Sequence, residues 1–317
     1  MSSTNRKLVN LKEDVINELH KPSRKNYKRR RVIVKGLNDL WQADLVSMIP
    51  YSKFNKGYKY MLVVINVFSK FVWVEPIKNK AATSVTSAMK NILLKSKSNP
   101  TYLQTDKGTE FFNKDFQTLM QKYNIKHYST YSNLKASVVE RVNRTIKNLM
   151  WKKFSLRGNY KWIDIIDEIV EKYNNTTHST INEKPKNVNI KNENQILNNY
   201  FAFIKTIDPK LPKFKTGDYV RISKQREAFT KGYTPNWSNE IFLIKKVNFT
   251  NPTTYILQDE NNSEIRGGFY EEELQKVKHP DVYLVEKIIR RKGNKVLVKW
   301  LGLNKSHNSW ILKKDIL

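Results

Sequence analysis

From Trp41 onward the chain alternates short apolar runs with polar breaks. The runs "WQADLVSM", "YKYMLVVINVFS" and "KFVWVEPI" are rich in β-branched and aromatic residues. A glycine-containing turn and a brief polar break separate them, so they predict three strands of an antiparallel meander. In "AATSVTSAMKNILLKS" small and apolar residues recur at helical spacing, and "PTYLQTD" returns to a strand. Strand, helix, strand needs a crossover, which predicts a mixed sheet. "NKDFQTLMQKYN" reads as a second helix and "IKHYST" as another strand. "SVVERVNRTIKNLMWKKFS" reads as a long amphipathic helix, and "KWIDIIDEIVEKYNN" as a last helix before Pro185. This unit covers residues 38–185.

Beyond it the periodicity fades. Residues 186–212 begin Asn- and Lys-rich and end at Pro209 and Pro212, the composition of a linker in which "NQILNNYFAFI" reads as a short helix. "FKTGDYVRIS", "NEIFLIKKVN", "TTYILQD" and "GGFYEEELQKV" are short strands divided by turn signals, predicting a small β-barrel over residues 213–278. Residues 279–317 hold two or three more strands, too little chain for a large core, and predict a compact module.

Charge adds a partner to this outline. Lys and Arg number 58 against 29 Asp and Glu, a net charge of +29 over 317 residues. Such an excess points to a polyanion, nucleic acid first, because neutralising phosphates releases condensed counterions and steers encounter. The alternatives are charge that serves only solubility, or binding to anionic lipid. The longest apolar run, "MLVVINVF", is far too short to span a bilayer, and the first thirty residues hold no signal-peptide core. A soluble, intracellular chain with no membrane partner is expected.

Residues 1–37 are polar and basic, and "KPSRKNYKRRR" carries seven basic side chains, including Arg29, Arg30 and Arg31. The run reads as a nuclear-import signal, a DNA-contacting arm or both, against a merely solvated charge run. There is no cysteine, which excludes disulfides and Cys-ligated zinc, and His20, His127, His178, His279 and His307 never fall at ligand spacing.

Three acids then stand out by position. Asp44 lies in the first predicted strand, Asp106 ends the fourth, and Glu140 sits near the start of the long helix. Acids from two central strands and a helix packed across them can converge on one site. Convergent carboxylates repel one another unless a divalent cation lies between them, and all-oxygen ligation favours Mg²⁺ or Mn²⁺ over zinc. Two such ions roughly 3.5–4 Å apart suit phosphodiester chemistry. Each acid taken singly reads as a surface or turn residue; the set of three carries the expectation. Gly108 lets the chain turn away after Asp106, and Thr105 and Thr109 satisfy local backbone. Asn143, Arg144 and Lys147 follow Glu140 at +3, +4 and +7, on one helical face. That face serves either as phosphate and base contacts or as an exposed polar surface with a Glu–Arg pair. Val138, Val139, Val142, Ile146 and Leu149 supply the apolar face.

In "LWQADLV", "LQTDKGTEF" and "ASVVERVNRTIK", with "YMLVVINVFSKFVWVEPI" in the expected place, the sequence resembles the retroviral-type integrase catalytic core, the DDE transposase/integrase fold. Asp106 and Glu140 are 140 − 106 = 34 positions apart, slightly closer than in retroviral enzymes and similar to the integrases of Maverick/Polinton elements and their virophage relatives. "KGYTPNWSNEIFLIKKV" with "GGFYEEELQ" resembles the barrel of that group. The resemblance implies an α/β ribonuclease-H-like core, a mixed sheet flanked by helices, followed by an SH3-like DNA-binding barrel. It implies Asp44, Asp106 and Glu140 as catalytic residues and ligands of two Mg²⁺ or Mn²⁺ ions, and Asn143, Arg144 and Lys147 as contacts to an element's DNA end. The retroviral His-His-Cys-Cys zinc domain is absent from this sequence, which leaves its tasks to the basic arm and the barrel.

"YLVEKII", "VKWLGL" and "NSW" resemble a chromodomain. Tyr283 and Trp300 match two positions of its aromatic cage, whereas Leu303 and His307 replace the third ring and the usual acid, so a chromodomain-like fold is expected over full methyl-lysine recognition.

The function implied is a DNA integrase of a mobile element or virus, which processes 3′ ends and transfers them into host DNA. It would work as a homo-oligomer on element and target DNA in the host nucleus, near chromatin and histone tails, and be packaged in the virion if the element is viral. The rivals are a nuclease on the same fold and a domesticated, non-catalytic chromatin- or DNA-binding protein.

Overall fold

The structure, a computed structural model of the 317-residue chain, describes all residues except 1–2, 25, 31, 130–135, 206–210, 225–232 and 317. It forms two units: Val32–Ile207, and Met1–Arg31 together with Asp208–Leu317. The first element is α1 (Ser3–His20), in a stretch whose composition marks it only as polar and basic. It belongs to the second of these units.

The unit Val32–Ile207 contains β1 (Leu40–Ser47), β2 (Tyr60–Asn66), β3 (Val72–Ile77), α2 (Ala82–Ser96), β4 (Tyr102–Thr105), α3 (Lys114–Lys122), β5 (Lys126–Ser129), α4 (Ser137–Arg157), α5 (Ile166–Asn174) and α6 (Ile190–Lys205). The sheet runs β3-β2-β1-β4-β5. β1, β2 and β3 form the expected antiparallel meander, while β4 and β5 join parallel to β1 and to each other.

Strand alternation assigns the two faces. Trp41, Ala43, Leu62, Val64 and Leu103 pack against Val85, Met89 and Ile92 of α2 and Phe116 and Met120 of α3. Val46, Met61, Val63 and Ile65 pack against Val139, Val142, Ile146 and Met150 of α4 and Ile166 and Ile169 of α5. β2 is covered on both faces, which is why its sequence is a nearly unbroken apolar run. At the sheet edge Asn174 of α5 accepts from the Val72 amide and donates to the Val72 carbonyl, both at 2.9 Å.

Much of the stretch expected as a linker is α6. Ile196 is buried with Val34, Leu40, Phe68 and Ile181, and the Glu193 carboxylate accepts the Leu37 amide at 2.7 Å. Burial of one apolar stripe outweighs the poor helix propensity of its asparagines.

In the other unit β6 (Tyr219–Ile222), β7 (Phe242–Asn248), β8 (Thr254–Gln258), β9 (Glu264–Tyr270) and β10 (Leu274–Lys276) form an antiparallel sheet in the order β10-β6-β7-β8-β9. Its core is Phe214, Val220, Phe242, Ile244, Tyr255, Leu257 and Leu274. β11 (Val285–Lys292), β12 (Lys295–Trp300) and β13 (Ser309–Leu312) make a separate three-stranded sheet. α1 buries Val15 and Leu19, one turn apart, and its C-terminal end is fastened by hydrogen bonds. The Leu19 carbonyl accepts from the Asn236 and Trp237 amides, and Trp237 Nε1 donates to the Lys21 carbonyl at 2.7 Å. Glu18 and Arg221 form a buried ion pair at 3.6 Å.

Candidate active site

β1 and β4 each read Gln-x-Asp: Gln42 and Asp44 on one, Gln104 and Asp106 at the end of the other. Gln42 and Gln104 are register partners, so the period of two puts both aspartates beyond them on one face, the face that α4 covers. The two amides confirm that shared face, Gln42 Nε2 donating to Gln104 Oε1 at 2.9 Å. Gln42 Oε1 in turn accepts the Val138 and Val139 amides of α4, at 3.0 and 3.1 Å. The three elements that carry Asp44, Asp106 and Glu140 are thus joined at one side chain.

Asp44 is partly buried. Its Oδ1 accepts the Leu45 amide at 2.9 Å and its Oδ2 accepts Asn143 Nδ2 at 2.7 Å. Burial pushes its carboxyl up, and the Asp106 charge adds to the rise; the Leu45 amide, Asn143 and the Lys147 charge pull the other way. Asp106 Oδ1 accepts the Gly108 amide at 3.2 Å, and the Gly108 carbonyl accepts from Phe111 and Phe112, so the chain folds back just after the acid.

Thr105 Oγ1 donates to the Asp106 carbonyl at 2.7 Å and lies 2.9 Å from His127 Nε2, while Gln117 Nε2 lies 2.8 Å from His127 Nδ1. Burial lowers His127 to about 4, which keeps the ring neutral at physiological pH. With the Gln117 amide donating to Nδ1, the ring proton sits on Nε2 and goes to Thr105. This brace behind Asp106 carries no motif; only the strand register brings His127 opposite Leu103.

Glu140 is exposed in the first turn of α4. Arg144 and Lys147 are exposed on the same helix, as their spacing predicts. Asn143, expected as a DNA contact beside them, is instead turned inward: it is 8% exposed, its amide serves Asp44, and its buried Oδ1 has no hydrogen-bond partner. Among the described residues no three acids or histidines stand close enough to hold a metal ion together. Asp44 and Asp106 nevertheless offer the oxygen donors that Mg²⁺ or Mn²⁺ takes, and their mutual repulsion is what a cation relieves.

Two further sets of expected residues lie in the other unit. Arg29 and Arg30 are exposed, and Arg31 lies outside the described residues. Their segment is held by Tyr27, whose hydroxyl donates to Glu273 at 2.6 Å, and by the Arg30 amide, which donates to the Tyr270 hydroxyl at 3.0 Å. The Arg29 guanidinium lies 4.7 Å from the Tyr27 ring centre. Tyr283 and Trp300 come together with ring centres 6.0 Å apart. His307 pairs with Glu260, a residue of the β8–β9 turn whose charge also raises the Tyr283 hydroxyl, after burial.

Residues 35–131 match the family model of the integrase core domain. The chain is 29% identical over 214 residues to a transposon-derived protein of Caenorhabditis elegans, covering 68% of this chain and 71% of that protein. It is 36% identical over 129 residues to the Gag-Pro-Pol polyprotein of Human T-cell leukemia virus 2, covering 39% of this chain and 8% of the polyprotein. A chain of the simian T-cell lymphotropic virus intasome, solved by cryo-electron microscopy, shares the fold with a TM-score of 0.54 at 15% identity, over 84% of this chain and 90% of that one. The unit Val32–Ile207 is thus a mixed sheet flanked by helices that is similar, over residues 35–131, to the integrase core domain and has retroviral and transposon-derived proteins among its relatives.

Proposed function

We propose that the chain is a DNA integrase of a mobile element or virus, which trims the 3′ ends of a linear element and transfers them into host DNA. The observation that carries this reading is the pairing of Asp44 with Asp106 on one face of an integrase-type sheet, tied through Gln42 to the turn of α4 that bears Glu140. Asp44, Asp106 and Glu140 are the proposed ligands of two Mg²⁺ or Mn²⁺ ions, which when bound activate an attacking oxygen and stabilise a leaving one.

The protein's own residues prepare that chemistry. Asn143 holds one oxygen of Asp44 and the Gly108 amide one oxygen of Asp106, so neither carboxylate swings freely. Lys147 and Arg144 offer cations to DNA phosphates, as do Arg29, Arg30 and Arg31. The β6–β10 sheet is proposed as an SH3-like DNA-binding barrel. Residues 279–317 are proposed as a chromodomain-like module whose Tyr283 and Trp300 face chromatin or histone tails. Two DNA ends must meet one target, which calls for a homo-oligomer, and the simian relative's structure is an intasome. The spacing of Asp106 and Glu140 supports the Maverick/Polinton and virophage group, with action in the host nucleus and carriage in the virion if the element is viral.

Labelled terminal-repeat DNA incubated with the protein and Mg²⁺ or Mn²⁺ is expected to yield strand-transfer products. Asp44→Asn, Asp106→Asn and Glu140→Gln are each expected to abolish them while DNA binding persists. Joining by any of the three variants would refute the triad, and binding without joining by the wild type would favour a non-catalytic DNA-binding protein.

A further inference from the structure

An α-helix begins with N–H groups that have no partner inside it, and the residue at its start usually supplies a side-chain acceptor. α4 lacks this. Its N-cap is Ala136, at φ 25°, with no side-chain cap. The amides of Val138 and Val139 are satisfied from 96 and 97 residues away, by the single oxygen Gln42 Oε1. Gln42 is fully buried, and the nitrogen of the same amide is spent on Gln104.

We propose that Gln42 is a positioning residue for the candidate site: a cap donated across the fold that sets where the first turn of α4, and so Glu140, stands relative to Asp44 and Asp106. The inference rests on the triad reading given above. A core pair of this kind has a bland explanation, two buried glutamines that satisfy each other. That explanation does not account for the third element. A glutamine pair confined to the sheet would leave the α4 amides to a local cap, and the local residue here is an alanine. The placement is also specific, since each glutamine stands two residues before an aspartate, Asp44 within β1 and Asp106 just past the end of β4. Both ends of the Gln42 amide therefore act on the acids' supports, the nitrogen on β4 and the oxygen on α4. Helical geometry makes that consequential, because one residue of slippage in α4 turns Glu140 by about 100° around the axis.

The test uses the full-length protein and two readouts, amide hydrogen exchange and Mn²⁺ binding by calorimetry. In the wild type, Val138 and Val139 should exchange more slowly than Ser137, although all three lie in the first turn. Gln42→Leu should speed exchange at Val138 and Val139 by about tenfold, leave α5 unchanged, and weaken Mn²⁺ binding by about 10–100-fold. Gln42→Glu keeps the acceptor oxygens and should restore the protection. If Gln42→Leu does not fold, Gln104→Leu carries the test: it frees the Gln42 amide from β4 and should weaken Mn²⁺ binding with protection retained. Lost protection with unchanged Mn²⁺ affinity in Gln42→Leu would leave a structural cap and overturn the positioning role. Unprotected Val138 and Val139 in the wild type would overturn the cap. A wild type that binds no Mn²⁺ would overturn the metal-site reading and the positioning role with it, while exchange would still report on the cap separately.

Discussion

The Asn143 side-chain amide donates to Asp44 Oδ2 at 2.7 Å, from a residue 99 positions away in the sequence. The bond opposes the upward push that burial and Asp106 exert on the Asp44 carboxyl. Asn143→Ala should therefore raise that carboxyl further, cost about 1.5–3 kcal/mol of stability, and impair joining more than it impairs DNA binding. Thermal unfolding and an NMR titration of Asp44 check this. An unmoved titration would mean that the bond is not made in solution.

Lys147 is exposed, yet near enough for its charge to lower the Asp44 carboxyl. Lys147→Ala should stay within about 0.5 kcal/mol of wild type in stability. Binding to element ends should weaken, and the slope of log K against log salt should become shallower by about one. Arg144→Ala should behave alike. A salt slope identical to wild type in both variants would remove this face from the proposed DNA interface.

His127 is held at about 4 by burial, below the ordinary 6.5. A histidine depressed in the folded state favours folding above the unfolded value, and that contribution drains away as the pH falls towards the folded one. Melting temperature should drop between pH 6.5 and 4, less steeply in His127→Gln. His178, lowered to about 4 by burial and then by Lys70 and Arg141, shares the window, so the double variant should be flatter still. Equal slopes in wild type and double variant would contradict the neutral, half-buried state of both rings.

Glu18 and Arg221 are 6% and 2% exposed, and removing one charge leaves the other buried alone. Glu18→Ala should cost about 3–5 kcal/mol, seen as faster hydrogen exchange along β6, whereas a paired Glu18→Leu, Arg221→Leu change should recover much of it. Exchange along β6 that ignores the single change would show that α1 is not anchored there.

The mixed sheet and α4 are legible in the sequence because periods of two and 3.6 alternate there without interference, and the two aspartates stand out, Asp44 by interrupting an apolar run and Asp106 by ending one. α1 and α6 are harder to see. Dense charge in the first and asparagines in the second mask stripes whose stability comes from partners distant in sequence, such as Leu40 and Phe68 for Ile196. Spacing alone put Asn143 on the same face as Lys147. Which of the two turns inward depends on what β1 holds opposite, and no helical periodicity contains that. The repeated Gln-x-Asp does signal a shared face for Gln42 and Gln104. It gives no hint that the oxygen of one amide continues to the backbone of α4.

The fastening of Leu19 and Lys21 to Asn236 and Trp237 has a consequence for biosynthesis. Trp237 is 216 residues downstream of the carbonyl its ring bonds. At roughly 5–20 residues per second, α1 leaves the ribosome about 10–40 s before its docking partner is made. During that interval the core Val32–Ile207 can close on itself, while an 18-residue helix without tertiary contacts is marginal in water. A nascent chain stalled short of Asn236 would carry a folded Val32–Ile207 unit behind an unanchored leading segment, with the basic run after His20 open to whatever polyanion is nearby.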